Sequence, residues 1–152
     1  MPSKPDSPQG ALAEKVFMTF SVMRARPTNI LFILDRFLQT SEEDVQDIQW
    51  WEQSLDMAFY LAKQERPISM EQLVEIANLC QAKNDAYGNL QLCSFGAHGI
   101  RIRAFDKICR VANLKNTGGP VNDEALSDSL MDLMNYCVLA MLLLRGDLKC
   151  AD

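Results

Sequence analysis

Histidine is almost missing from this chain: His98, close to Gly96 and Gly99, is the only one in 152 residues. A lone imidazole in that setting reads as a loop residue, and no role is assigned to it. Basic residues are also in deficit. Fifteen Lys and Arg stand against twenty Asp and Glu, a formal net charge of −5, which argues against a nucleic acid polymer as partner because phosphate contacts need a basic face. Free nucleotides stay compatible with that charge, since a bound metal ion reverses the local field. The five cysteines, at 80, 93, 109, 137 and 150, contain no CxxC pair. They sit mostly in apolar helical patterns and read as buried reduced thiols of a cytosolic protein. The longest apolar run, Cys137 to Leu144, falls well short of the roughly 20 residues that cross a bilayer. No charged start, apolar run and small-residue cleavage site open the chain, and no repeat of solenoid spacing occurs. Membrane insertion and secretion are therefore not expected, and the expected location is the cytoplasm.

What is present points to one helical domain. The length suits a single core, and a hydrophobic share of 48% supports a folded chain. Pro2, Pro5 and Pro8 mark residues 1–10 as a loose tail, leaving 11–152 as the domain. Residues 11–25 are apolar with few breaks and fit a buried helix or a strand equally well. After Pro27, apolar residues from Ile30 to Leu38 recur at helical spacing and predict a helix over about 28–40. Ser41, followed by three acids, reads as the N-cap of one long amphipathic helix that Pro67 closes. Trp50 and Trp51 adjoin in that helix, so one of them is expected off the buried face. Ser69-Met-Glu-Gln72 has capping-box spacing and opens a helix ending near Lys83, followed by a turn rich in Asn, Asp and Gly. A second turn at Gly96 to Gly99 precedes a helix from Ile100 to Leu114. Asn116 to Asn122 then link it to a last helix, with Asn122 as its expected N-cap. Helix after helix with short links predicts an all-α helical bundle.

Three polar clusters stand out. In the last helix Glu124, Asp128, Asp132 and Asn135 share one stripe at helical spacing. Like charges so placed repel by a few tenths of a kcal/mol each, and an oxygen-seeking divalent cation is one way to offset them. A solvated acidic face is the other. The preceding helix carries Arg103, Asp106, Lys107 and Arg110, and the turn before it carries Lys83, Asp85 and Tyr87. A short link makes the last two helices antiparallel neighbours, so the acidic and basic stripes can face each other. That arrangement is either an interhelical salt-bridge network or a site in which carboxylates hold Mg²⁺ and the basic residues hold phosphate oxygens. A triphosphate would complete its charge balance.

The residues Lys83-Asn-Asp-Ala-Tyr87-Gly88, Gly99 to Arg110 and Glu124 to Tyr136, taken in order and spacing, resemble a phage-associated branch of the MazG-like all-α nucleoside triphosphate pyrophosphohydrolases. The similarity covers about residues 69–146. It implies a MazG-like bundle that hydrolyses a (deoxy)nucleoside triphosphate, with a purine deoxynucleotide favoured, to the monophosphate and pyrophosphate. It also implies two or more Mg²⁺ or Mn²⁺ ions, assembly as a homo-dimer or tetramer, and host cytoplasm if phage-encoded. The wider superfamily pairs a Glu-x-x-Glu helix with a later Glu-x-x-Asp helix. This chain lacks the first motif and spaces Glu124 and Asp128 one residue further apart. Carried onto its residues, the resemblance makes Glu124 and Asp128 catalytic and gives the metal to Glu124, Asp128 and Asp132, with Glu75 and Asp106 in place of the missing pair. Lys83, Asp85, Tyr87, Arg103, Lys107, Arg110 and Asn135 become the substrate-binding set. The alternative is a non-catalytic helical interaction or nucleotide-sensing module, in which the acidic stripe is a solvated or partner-binding face.

Overall fold

Side-chain caps decide where several of these helices begin. The computed structural model describes residues 6–117 and 123–148, apart from the side chains of Gln91, Asp123 and Glu124. The protein is all-α, with no strand among the described residues. The helices are α1 (Ala11–Val22), α2 (Ile30–Leu38), α3 (Glu42–Val45), α4 (Ile48–Glu65), α5 (Met70–Tyr87), α6 (Leu90–Cys93), α7 (Gly96–Thr117) and α8 (Asp123–Arg145). Asn29 caps α2 by accepting from Phe32 N at 3.0 Å. Ser41 and Asp44 form a reciprocal capping box on α3, and Ser69 and Gln72 form one on α5, each satisfying two orphan backbone donors. The expected single helix after Ser41 is two helices. The chain leaves helical geometry at Gln46 and Asp47, and the Asp47 side chain restarts it by accepting from Gln49 N at 3.0 Å.

Of residues 11–25, ambiguous by periodicity, Ala11–Val22 form helix α1, whose Leu12, Ala13, Val16 and Phe20 are buried, and the chain turns extended at Met23. Just before it, Gln9 N donates to Asn78 Oδ1 at 2.6 Å and Asn78 Nδ2 donates to Ser7 O at 3.3 Å, so residues 7–9 are held against α5. Both tryptophans are buried, which corrects the expectation that one would face outward. Neighbours at 100° on a helix can both be covered when packing comes from two sides. Trp50 packs on Phe37 with ring centroids 4.9 Å apart, beneath the Arg36 guanidinium. Trp51 lies edge-on to both rings and donates its indole N–H to Val45 O at 2.8 Å.

The core is organised around α8, which packs against α4 and α7 along its length and also meets α1 and α5. From Leu133 to Leu142 almost every residue is buried, because a helix that is apolar all round must be enclosed. Each fully buried Leu or Met there contributes about 1.5–3 kcal/mol by removal from water. By length and composition Ala125–Arg145 also passes for a membrane span, contrary to the expectation from its shorter apolar run, and 72% of its apolar window is buried by the other helices. The polar stripe of α8 interrupts this enclosure on one side and faces α5 and α7.

Candidate functional site

Two turns that the sequence predicts are helix instead. Helix α5 runs on to Tyr87, so Cys80, Lys83, Asn84 and Tyr87 lie at i, i+3, i+4 and i+7 and share one face. Gly88 ends it with φ +73°, a left-handed conformation that favours glycine, and donates its N–H to Asn84 O at 2.7 Å. Helix α7 begins at Gly96 rather than Ile100, which puts His98 on an exposed helical turn. The chain thus returns through the short α6, with Leu92 buried, and presents Arg103 to the same space.

These elements enclose a cavity of about 430 Å³ lined by Cys80, Lys83, Asn84 and Tyr87 of α5, Leu92 of α6 and Arg103 of α7, and by Asp132, Asn135, Tyr136 and Leu139 of α8. That volume is within the usual range for small-molecule sites. The last four also follow i, i+3, i+4, i+7 spacing, so two helical faces meet across the space. Five of the residues singled out from the sequence line it together: Lys83, Tyr87, Arg103, Asp132 and Asn135.

Asp132 is the electrostatic centre. Lys107 Nζ lies 2.9 Å from its Oδ2, and Lys83 Nζ lies 3.4 Å from its Oδ1. Two lysines therefore pair with one carboxylate, Lys83 from the cavity lining and Lys107 from beside it, and Arg103 lines the same cavity. Of the acidic and basic stripes, Asp132 of α8 and Lys107 of α7 meet. The lysines partly offset the repulsion that the α8 stripe would otherwise carry. Cys80 sits against Lys83, but burial pushes its thiol up to about 11 and the lysine only partly opposes this. It is a protonated wall of the cavity and not a nucleophile.

Compared with protein-family models, with curated proteins and with solved structures, the chain matches none.

The remaining sequence candidates lie outside the cavity lining. Asp128 is exposed one turn before Asp132, and Asp106 and Arg110 are exposed on α7. Asp85 is exposed and accepts from Gln81 Nε2 at 2.9 Å. Glu75 is half-buried on α5, two turns before Lys83. The Glu124 side chain and Asn122 lie outside the described residues. No group of three or more His, Cys, Asp or Glu side chains converges among the described residues. Asn84, Tyr136 and the apolar liners carry no charge pattern that marks them in the sequence, although their helical spacing from Lys83 and Asp132 places them on the same faces.

The thiol expectation needs two corrections. Cys80 and Cys137 are free and buried, but Cys109 is free and exposed, and Cys93 is disulfide-bonded. Cys109 is turned outward because α7 buries Ala104, Ile108 and Val111 instead.

Proposed function

We propose that this chain is a nucleoside triphosphate pyrophosphohydrolase of the MazG-like type that binds its substrate in the cavity between α5, α7 and α8. One observation carries the reading. Charged and polar residues from three separate stretches, each chosen from the sequence for nucleotide chemistry, share a single cavity. The basic trio of Lys83, Arg103 and Lys107 binds phosphate oxygens, which exchange with the Asp132 carboxylate for the lysine ammonium groups. Tyr87 and Tyr136 offer ring faces to a base. Water cleaves the bond between the α and β phosphates, giving a (deoxy)nucleoside monophosphate and pyrophosphate. Mg²⁺ or Mn²⁺, when bound, supplies water activation and charge stabilisation. Asp128 and Asp132, with Glu124, are the residues to hold it. The resemblance to the MazG-like enzymes extends the reading to assembly as dimers or tetramers.

A second reading, a nucleotide sensor without turnover, is favoured by the pairing of Asp132 with two lysines, which leaves that carboxylate engaged. Thermal melting distinguishes binding from indifference. A ligand that binds only the folded chain at 100 times its Kd raises stability by about 2.7 kcal/mol. A raised midpoint with Mg²⁺ and a deoxynucleoside triphosphate, together with release of pyrophosphate, is the expected result. A raised midpoint without product supports the sensor, and no shift removes both.

A further inference from the structure

The cavity wall carries two kinds of chemistry. At Asp132 its wall is ionic. At Asn135 it is neutral. Asn135 is only 7% exposed, lines the cavity, and its Oδ1 has no hydrogen-bond partner among the described residues. Across the space, the buried Oδ1 of Asn84 is likewise without a partner. Cys80, Leu92 and Leu139 add apolar wall. Buried polar side chains are ordinarily hydrogen-bonded, and neither amide is tied into the protein in the manner of Asn78, which bonds both Ser7 and Gln9. Two cavity-lining carboxamides whose buried oxygens have no partner in the protein are the arrangement of a site that obtains its hydrogen bonds from a ligand.

We propose that Asn84 and Asn135 hold the uncharged nucleoside part of the ligand through its hydrogen-bonding groups, while the phosphates remain at Lys83, Arg103 and Lys107. This rests on the triphosphate reading above. A carboxamide presents a donor and an acceptor side by side, which matches the edge of a nucleobase in a bidentate pair. A sugar hydroxyl can engage either atom. A ligand group that hydrogen-bonds there satisfies these buried polar atoms, and an apolar one leaves them unpaired. The two asparagines are thus specificity-determining, and the cations supply affinity common to every triphosphate.

The test is titration calorimetry on the full chain in Mg²⁺, with tripolyphosphate, deoxyadenosine and deoxyguanosine triphosphates, a 2′,3′-dideoxy analogue and base-free 2-deoxyribose 5-triphosphate. Asn135→Leu and Asn84→Leu are compared with the unchanged protein. Each variant is expected to bind its preferred deoxynucleotide at least about tenfold more weakly, the scale of one lost buried hydrogen bond. Tripolyphosphate affinity should stay within about twofold, with a thermal midpoint that does not fall, because an unpartnered polar group has been removed. A deficit that disappears with the base-free compound assigns the contact to the base, and one that disappears with the dideoxy analogue assigns it to the sugar. Equal losses for nucleotide and tripolyphosphate, or no loss for either, overturn the inference. Should Asn135→Leu fail to fold, Asn84→Leu carries the same comparison. An unchanged protein that binds neither ligand instead overturns the triphosphate reading itself.

Discussion

Replacing Asp132 with Asn separates the roles that one carboxylate plays. The two ion pairs it makes involve lysine side chains that are 50% and 29% exposed, while its own side chain is 25% exposed. Pairs so accessible to water contribute about 0.2–1 kcal/mol each. Relief of repulsion with Asp128, one helical turn away, returns a few tenths. Stability should therefore fall by roughly 1 kcal/mol, lowering the midpoint by about 2–4 °C. Binding should change in opposite directions with and without metal. Without it, the carboxylate only repels phosphate and occupies Lys83 and Lys107. Removing one unit charge at contact distance in a water-like medium is worth about 1 kcal/mol, so tripolyphosphate in EDTA should bind about fivefold more tightly. With Mg²⁺, loss of an oxygen donor should weaken nucleotide binding and turnover. Calorimetry under the two conditions gives both numbers. An unchanged or weaker metal-free affinity would refute the placement of phosphate at the two lysines.

Arg103 and Arg110 share the basic stripe of α7, but only Arg103 lines the cavity. Arg103→Ala should lower kcat/KM about tenfold or more, the equivalent of roughly 1.5–3 kcal/mol for a hydrogen bond to a charged group. Arg110→Ala should change activity and stability by no more than about 0.5 kcal/mol, and steady-state kinetics with reversed effects would move the phosphate site outward along α7. The third prediction concerns pH. Burial holds the Asp56 carboxyl above its ordinary range, despite the hydrogen bond that its Oδ1 accepts from Arg24 N at 3.0 Å. Its favourable contribution is complete below the unfolded carboxylate pKa and is lost as pH rises through the raised folded value. Asp56→Asn keeps an acceptor for Arg24, so it should raise the midpoint at pH 7 and flatten the decline across that window. Denaturant melts at pH 4 to 7 showing the same slope in both proteins would remove this account.

Which parts of the structure could be read in advance follows from how local their causes are. The Ser69 capping box and the apolar stripes of α2 and α8 are written within a few residues, and their helices form where the pattern places them. The turn chemistry of Asn84 and Asp85 was overridden because Cys80, Lys83, Asn84 and Tyr87 continue a helical face that packs toward α8. The break at Gln46 and Asp47 depends on a second cap within an unbroken amphipathic pattern, and both tryptophans are buried only because α2 and α3 cover α4 from another side. At the cavity, charge made Lys83, Arg103 and Asp132 conspicuous. Asn84 is marked only by its three-dimensional setting, where its buried Oδ1 has no partner. The lysine pairing of Asp132 likewise depends on the register between helices, which composition does not contain.

The most direct measurement is product analysis. The purified chain is incubated with each common deoxynucleoside and ribonucleoside triphosphate and Mg²⁺ or Mn²⁺, and products are separated by anion-exchange chromatography beside the Asp132→Asn and Arg103→Ala proteins. The account predicts nucleoside monophosphate and pyrophosphate in equal amounts from at least one substrate, with less of both from each variant. Orthophosphate or tripolyphosphate as the first product, or equal turnover by all three proteins, would contradict it.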